Sequence, residues 1–143
     1  VNYYLLFGAP DMAGLRSIRR FYAETLKPIF GNVSPTEITV ISLAAGIGEE
    51  LLFRGVLQAE MGLVSASVIF GLLHMSGAST VVFGCWVMLM GGVLGGLAIW
   101  TGGLMAPIVA HAVYDAAAMS YIRWDVECGR VESPELGVEG PKS

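Results

Sequence analysis

Apolar residues fill the middle of the chain in long runs that contain almost no charge. No Asp, Glu, Lys or Arg occurs among the 54 residues from Met61 to Tyr114. The wider window 38–122 contains five charged residues, which are Glu49, Glu50, Arg54, Glu60 and Asp115. Because a helix of about 20 apolar residues is enough to cross a bilayer, this pattern predicts several membrane-spanning helices.

Start and stop signals divide this region into four predicted core helices. Ser34-Pro35-Thr36-Glu37 is a strong helix start, with a capping Ser, a Pro in the first helical position and a Glu three residues after the cap. The first helix is expected to run to Met61 and to end at Gly62. In the third, the pairs Gly91xxxGly95 and Gly92xxxGly96 are expected to let a neighbouring helix approach closely. The helices after the first are expected over 65–75, 80–100 and 104–122.

The segments on either side of this core are more polar. Residues 1–33 combine an apolar start with a basic, aromatic stretch, which is typical of an interfacial helix or a partial membrane segment, although a plain connector fits equally well. The basic residues of this stretch are Arg16, Arg19, Arg20 and Lys27. Residues 123–143 are expected to form a polar, water-exposed tail after the core at 34–122. The chain begins with Val1, which leaves open whether further spans precede it.

Composition supports a membrane protein. Of the 143 residues, 55% are hydrophobic and 14% are charged, whereas soluble domains carry about 25% charged residues. This hydrophobicity excludes intrinsic disorder, and a net charge of -4 gives no footprint for nucleic-acid binding. We predict an all-α fold, a polytopic transmembrane helical bundle of about four core helices with an N-terminal interfacial helix. The flanking basic residues favour a multi-pass protein of the cell membrane with cytoplasmic termini.

A few polar side chains interrupt the apolar helices, and these are the candidate functional residues. Each charge in the middle of a span costs about 3 kcal/mol on insertion scales, so such groups must pair, become neutral or face water. Convergence on one polar cavity would satisfy all of them together. The candidates are Glu49, Glu50, Arg54, His74, His111 and Asp115.

Helical geometry separates the two adjacent carboxylates. Glu50 and Arg54 lie about 40° apart around a helix and one turn from each other, so they can form an ion pair. Glu49 points about 100° away from Glu50 and is left without that partner. We therefore expect Glu50 and Arg54 to form a buried salt bridge and Glu49 to be available as a general base.

Two histidines extend the set to other helices. His74 follows Phe70 by one turn, and His111 shares a helix face with Asp115, which can orient its imidazole. A single His on an apolar helix is more often a satisfied core residue than a functional one. The combination of two His and one Glu on three helices of a charge-poor bundle favours a catalytic site.

These residues also form three motifs in a fixed order. Glu49-Glu50-Leu51-Leu52-Phe53-Arg54 resembles EExxxR, Phe70xxxHis74 resembles FxxxH, and His111xxxAsp115 resembles HxxxN/D. The ordered trio resembles the CPBP family (CAAX protease and bacteriocin-processing), also called the Abi or type II CAAX prenyl endopeptidase family of intramembrane proteases. The resemblance covers 34–122.

The resemblance implies hydrolysis of peptide bonds at the membrane, in a peptide or a prenylated protein substrate. Carried over to this chain, it implies that Glu49 activates a water that His74 helps to hold. His111 and Asp115 would bind the developing oxyanion, and Glu50 with Arg54 would support the site. An ionised Asp115 would repel an oxyanion, so Asp115 must be protonated or must act by orienting His111.

Several alternatives stay open from the sequence. Glu49, His74 and His111 could ligate zinc, but the chain lacks the HExxH motif that holds two His on one helix, which favours a metal-free mechanism. Cys85 and Cys128 form neither a disulfide pattern nor a zinc-finger pattern. A non-proteolytic scaffold or immunity protein, or an ion pathway, would use the same buried cluster without cleavage. The oligomeric state and the substrate are not readable from the sequence.

Overall fold

The computed structural model describes residues 13–132, and every regular element among them is a helix. The elements are α1 (Ala13–Phe21), a π-helical turn (Tyr22–Leu26), α2 (Lys27–Phe30), α3 (Pro35–Glu50), a π-helical segment (Leu51–Leu57), α4 (Gln58–Leu73), a 3-10 turn (Ala78–Thr80), α5 (Val81–Thr101) and α6 (Met105–Glu132). The predicted all-α fold is therefore confirmed for these residues. The apolar start at 1–10 and the tail at 133–143 lie outside the described residues.

The start of α3 has the capping arrangement that the sequence predicts. Ser34 is extended, and its Oγ accepts a hydrogen bond from the backbone N–H of Glu37 at 3.2 Å. The Glu37 carboxylate in turn accepts from the backbone N–H of Ser34 at 2.7 Å. The two bonds satisfy N–H groups that the first helical turn would otherwise leave unpaired.

The chain reverses direction at Gly62, where the first core helix was expected to end. Gly62 has φ 82° and ψ 166°, a conformation that disfavours any residue with a side chain. The Phe53 and Phe70 rings on either side of this break lie 4.7 Å apart, edge to face. In one straight helix, 17 residues would separate them by about 25 Å. The break lies inside α4 and folds the part of α4 after Gly62 back along the preceding π-helical segment.

Small residues bring the remaining helices close together. A Cβ on Gly46 of α3 would lie 3.1 Å from Cβ of Ala112, so α3 and α6 pack almost backbone to backbone. A Cβ on Gly91 would lie 3.1 Å from the Phe70 ring, which places α5 against α4. The expectation for the glycine pairs is correct for Gly91 but wrong for Gly96, where a Cβ would meet no atom of residues 13–132 within 4 Å.

Charged side chains lie inside the bundle among apolar ones, and large apolar side chains cover its outside. Large apolar side chains such as Trp100, which is 84% exposed, cover the outer faces of the helices, whereas Glu50, Arg54 and His111 are buried. Water disfavours such extensive apolar exposure, but lipid does not. Within the described part of the chain, two helical stretches are long and apolar enough to cross a membrane, Pro35–Leu73 and Val81–Thr101.

Helix α6 is longer than the sequence predicts. It was expected to end near residue 122, but it continues to Glu132, so the polar tail begins as helix. The Asp125 carboxylate accepts a hydrogen bond from Tyr22 at 2.8 Å and pairs with Lys27 at 2.7 Å. These contacts attach the end of α6 to the N-terminal helical segment. That segment is helical in the structure, and its position at the membrane surface stays a prediction.

Candidate active site

The two adjacent glutamates at the end of α3 lie in different environments. The Glu49 side chain is 35% exposed, whereas that of Glu50 is 0% exposed. The helix turns into a π-helical segment directly after them. Such wide turns occur frequently at functional sites, and the sequence did not predict this one. Glu49 is therefore reachable by a small molecule, and Glu50 is enclosed by protein.

Glu50 forms the predicted buried salt bridge. Its Oε1 lies 2.7 Å from Nη1 of Arg54. Arg54 also donates from Nη2 to the backbone carbonyl of Gly91 on α5, at 3.0 Å, and its guanidinium lies over the Phe70 ring, 4.8 Å from the centroid. The guanidinium thus joins the π-helical segment to both α4 and α5.

His111 brings α6 into the same cluster. Its Nδ1 lies 2.7 Å from Oε1 of Glu50, a hydrogen bond in which the imidazole N–H donates. Its Nε2 faces two further carboxylates, at 3.5 Å from Asp115 and 3.8 Å from Glu49. The local pair of His111 with Asp115 is therefore present as expected, and Glu50 makes a second, shorter contact at the other ring nitrogen.

His74 reaches the cluster from the end of α4. Its Nδ1 lies 2.8 Å from the backbone carbonyl of Phe70, so Nδ1 carries the proton and Nε2 is left as an acceptor. Its ring contacts that of Phe70 edge to face, with centroids 4.8 Å apart. Both Glu49 and Asp115 are close enough to His74 to interact with it electrostatically.

The six residues singled out by sequence therefore meet at one place on four elements. The contact between Glu50 and His111 is the one that sequence reasoning missed. These residues are 61 positions apart, and no helical spacing links them. The sequence contains one indication of this contact, which is a small residue on each helix. Gly46 lies one turn before Glu50 and Ala112 lies next to His111, and these small residues allow α3 and α6 to touch.

No grouping of possible metal ligands is found in the described part of the chain. Across residues 13–132, no group of three His, Cys, Asp or Glu side chains is arranged to hold a metal ion. Zinc binding by Glu49, His74 and His111 stays an alternative prediction.

Comparison with known proteins places the chain in a family. The model of the family described as "Type II CAAX prenyl endopeptidase Rce1-like" matches residues 32–117, which is more than half of the chain and includes the whole cluster. The chain belongs to the Rce1-like family. With two candidate spans and this family membership, it is a membrane protein with the fold of the CAAX-type proteases.

One relative of the chain is a protein of Bacillus subtilis (strain 168), the uncharacterized protein YpbD. The two are 38% identical over 99 residues, which cover 69% of this chain and 52% of the relative. The chain thus spans about half the length of that curated relative. No solved structure gives a significant match.

Proposed function

We propose that this chain is the core of a multi-pass intramembrane endopeptidase that hydrolyses a peptide bond with a water activated by Glu49. The observation that carries the proposal is the position of Glu49. Its carboxylate is partly exposed, and it lies 3.8 Å from Nε2 of His111, which in turn lies 3.5 Å from Asp115. A base, a ring nitrogen and a second carboxyl group thus face one space inside an apolar bundle.

In this proposal, Glu49 removes a proton from the attacking water. Nε2 of His74 is an acceptor, because Nδ1 donates to the Phe70 carbonyl. Two acceptors close together can hold one water by its two hydrogens and direct its oxygen at a carbonyl carbon. A positioned general base contributes typically about 10²–10⁴-fold to the rate.

His111 and Asp115 then stabilise the tetrahedral intermediate. Nε2 of His111, 3.8 Å from Glu49, takes up the proton that Glu49 removed from the water. The imidazolium keeps its other proton on Nδ1 for Glu50 and holds the Nε2 proton against the oxyanion. It then delivers the Nε2 proton to the leaving amine as the peptide bond breaks. Asp115 donates only in its carboxylic acid form, since an ionised carboxylate repels the oxyanion. Donors aimed at such an oxyanion are worth about 3 kcal/mol each.

The family and the membrane support one substrate class as a proposal. The family's description supports a peptide near a prenylated C-terminal cysteine as the first substrate to test. The apolar outer surface supports a location in the cell membrane, and we place both termini on the cytoplasmic side as the basic flanks suggest. In this proposal, the chain lies in the lipid bilayer and binds its peptide substrate there.

The test is cleavage by the full chain in liposomes, with products identified by mass spectrometry. Substrates are a prenylated C-terminal peptide and a library of membrane-proximal peptides. Glu49→Gln is compared with Glu60→Gln, which neutralises an exposed carboxylate on α4 outside the cluster. We expect Glu49→Gln to lower the rate at least 10²-fold and Glu60→Gln to leave it unchanged.

Two results contradict the proposal. Cleavage by Glu49→Gln at the wild-type rate removes Glu49 as the base. A folded wild-type chain that cleaves no peptide in either set supports the alternatives of a scaffold or immunity protein, or of an ion pathway. Proton flux across the same liposomes separates the last of these from the others.

A further inference from the structure

A single buried oxygen joins the salt bridge of the site to its histidine. Oε1 of Glu50 lies 2.7 Å from Nη1 of Arg54 and also 2.7 Å from Nδ1 of His111. The Glu50 side chain is fully buried. Nothing in the ion pair with Arg54 alone requires contact with His111, so the shared oxygen indicates a second role.

We propose that Glu50 is a positioning residue that fixes the ring orientation and the tautomer of His111. By accepting the Nδ1 proton, Glu50 leaves Nε2 as the ring atom that faces Glu49 and Asp115. This inference rests on the proposed function, because it explains how His111 is kept ready for an oxyanion. It gives Glu50 a role in catalysis without any contact with substrate.

In many enzymes, a carboxylate at one ring nitrogen orients a histidine whose other nitrogen takes part in the reaction. An imidazole has two equivalent-looking nitrogens, and the hydrogen bond at one decides what the other can do. A buried carboxylate at one nitrogen holds the tautomer and stabilises the imidazolium when it forms. Replacing such a carboxylate by its amide can cost about 10⁴-fold in rate, as serine proteases show.

Neighbouring helices hold the carboxylate itself in place. Arg54 is anchored to the Gly91 carbonyl on α5 at 3.0 Å, so it fixes Glu50 from one side. The close contact of Gly46 with Ala112 fixes the distance between α3 and α6 from the other side. These contacts restrain Oε1 of Glu50 next to Nδ1 of His111.

The tautomer can be measured directly, because the chain contains only two histidines. The full chain is labelled with ¹⁵N in its histidine rings and studied by NMR in lipid nanodiscs, with His111→Gln used to assign the signals. In the wild type we expect a protonated Nδ1 on His111 and a strongly downfield proton. In Glu50→Gln we expect these shifts to move toward those of mixed tautomers.

Activity provides a second measurement. Glu50→Gln is expected to lower kcat about 10²–10⁴-fold with KM changed less than about threefold, since no substrate contact is lost. Glu50→Asp keeps the charge but moves the carboxylate away from His111 by the length of one methylene. Its ring ¹⁵N shifts should therefore lie between those of the wild type and those of Glu50→Gln. Glu49→Gln is the matched control, because Glu49 faces Nε2 and its loss should leave the Nδ1 signal of His111 as in the wild type.

The outcomes separate this inference from the proposed function. An unprotonated Nδ1 in the wild type overturns the inference even if no Glu50 variant folds. Wild-type shifts in a folded Glu50→Gln also overturn it. A fixed tautomer in a chain that cleaves nothing contradicts the proposed function instead, and with it the catalytic meaning of the Glu50 contact.

Discussion

Glu49 and Glu50 are consecutive residues, yet 35% of the Glu49 side chain is exposed and 0% of the Glu50 side chain is. The helix separates them by its rotation, so one carboxylate faces an open space and the other faces the centre of the bundle. Burial without pairing would cost several kcal/mol, and Glu50 offsets part of that cost through the contacts of its Oε1 with Arg54 and His111. Substitution of Glu49 therefore tests the proposed general base, and substitution of Glu50 tests the proposed positioning of His111.

The residue at position 115 is predicted to act as a neutral donor. Asp115→Asn supplies a neutral amide of similar size, so we expect cleavage equal to the wild type or a few-fold faster. Asp115→Leu removes the donor and should lower kcat by about 10²-fold or more. Rates are compared in the same liposome assay. If Asp115→Asn is as slow as Asp115→Leu, the carboxylate itself is required and the donor role is wrong.

Packing between α4 and α5 is predicted to depend on Gly71. A Cβ there would lie 2.6 Å from Cβ of Met88 and 2.7 Å from the backbone oxygen of Gly84. Because backbone cannot move aside easily, Gly71→Ala should destabilise the protein by about 1–3 kcal/mol. Thermal unfolding in one detergent measures the change.

Gly96→Ala is the matched control for that experiment. Among the residues that the structure describes, a Cβ at Gly96 meets no atom within 4 Å, and Ala favours a helix by about 1 kcal/mol relative to Gly. We expect an unchanged or slightly higher melting temperature. A loss as large as that of Gly71→Ala would mean that an unseen partner covers this face of α5.

The attachment of α6 to the N-terminal segment is predicted to depend on pH. Burial disfavours the charge of Asp125, but hydrogen bonds from Lys27 and Tyr22 outweigh it and lower the pKa of Asp125 below its ordinary value. A lowered pKa in the folded state means that the carboxylate stabilises the fold above about pH 4. This stability is lost as the pH falls through the folded-state pKa.

Asp125→Asn should therefore lower the free energy of unfolding by about 1 kcal/mol at neutral pH, and the difference from the wild type should vanish well below pH 4. Urea unfolding at several pH values measures both. Glu127→Gln, on the same helix but in an exposed pair with Arg123, should change stability by less than about 0.5 kcal/mol. A difference that persists in acid would rule out the charge of Asp125 as its cause.

Chelation is predicted to leave cleavage unchanged. Within the described residues no three ligating side chains are grouped to hold a metal, and the proposed chemistry uses Glu49, His74 and water. We therefore expect full activity after treatment with a strong zinc chelator. Elemental analysis of the purified protein accompanies the assay. Stoichiometric zinc that is lost on mutation of His74 or His111 would contradict the metal-free mechanism.

Local signals allowed most of the fold to be predicted. The capping residues at Ser34 and Glu37 and the break at Gly62 act within a few positions, so their structural consequences follow from short sequences. The length of α6 did not follow, because it depends on contacts of Asp125 with Tyr22 and Lys27, about a hundred residues away. The π-helical segment after Glu50 also carries no local sequence signal.

The candidate site shows the same division. The pairing of Glu50 with Arg54 could be predicted because both lie on consecutive turns. The contact of Glu50 with His111 could not, since it is decided by how closely α3 and α6 pack. The rotation of the helix predicts that Glu49 and Glu50 point in different directions. The tertiary structure is needed to show that Glu50 and His111 are in contact.

The reversal at Gly62 has a consequence for how this core can change in length. Glu50 lies twelve residues before Gly62 and His74 lies twelve residues after it. The two arms, residues 50–62 and 62–74, thus have the same number of residues, and the second returns the chain to the depth of the candidate site. One inserted residue in either arm would rotate everything beyond it by about 100° and advance it by 1.5 Å. The arms can thus exchange one apolar residue for another far more readily than they can gain or lose one.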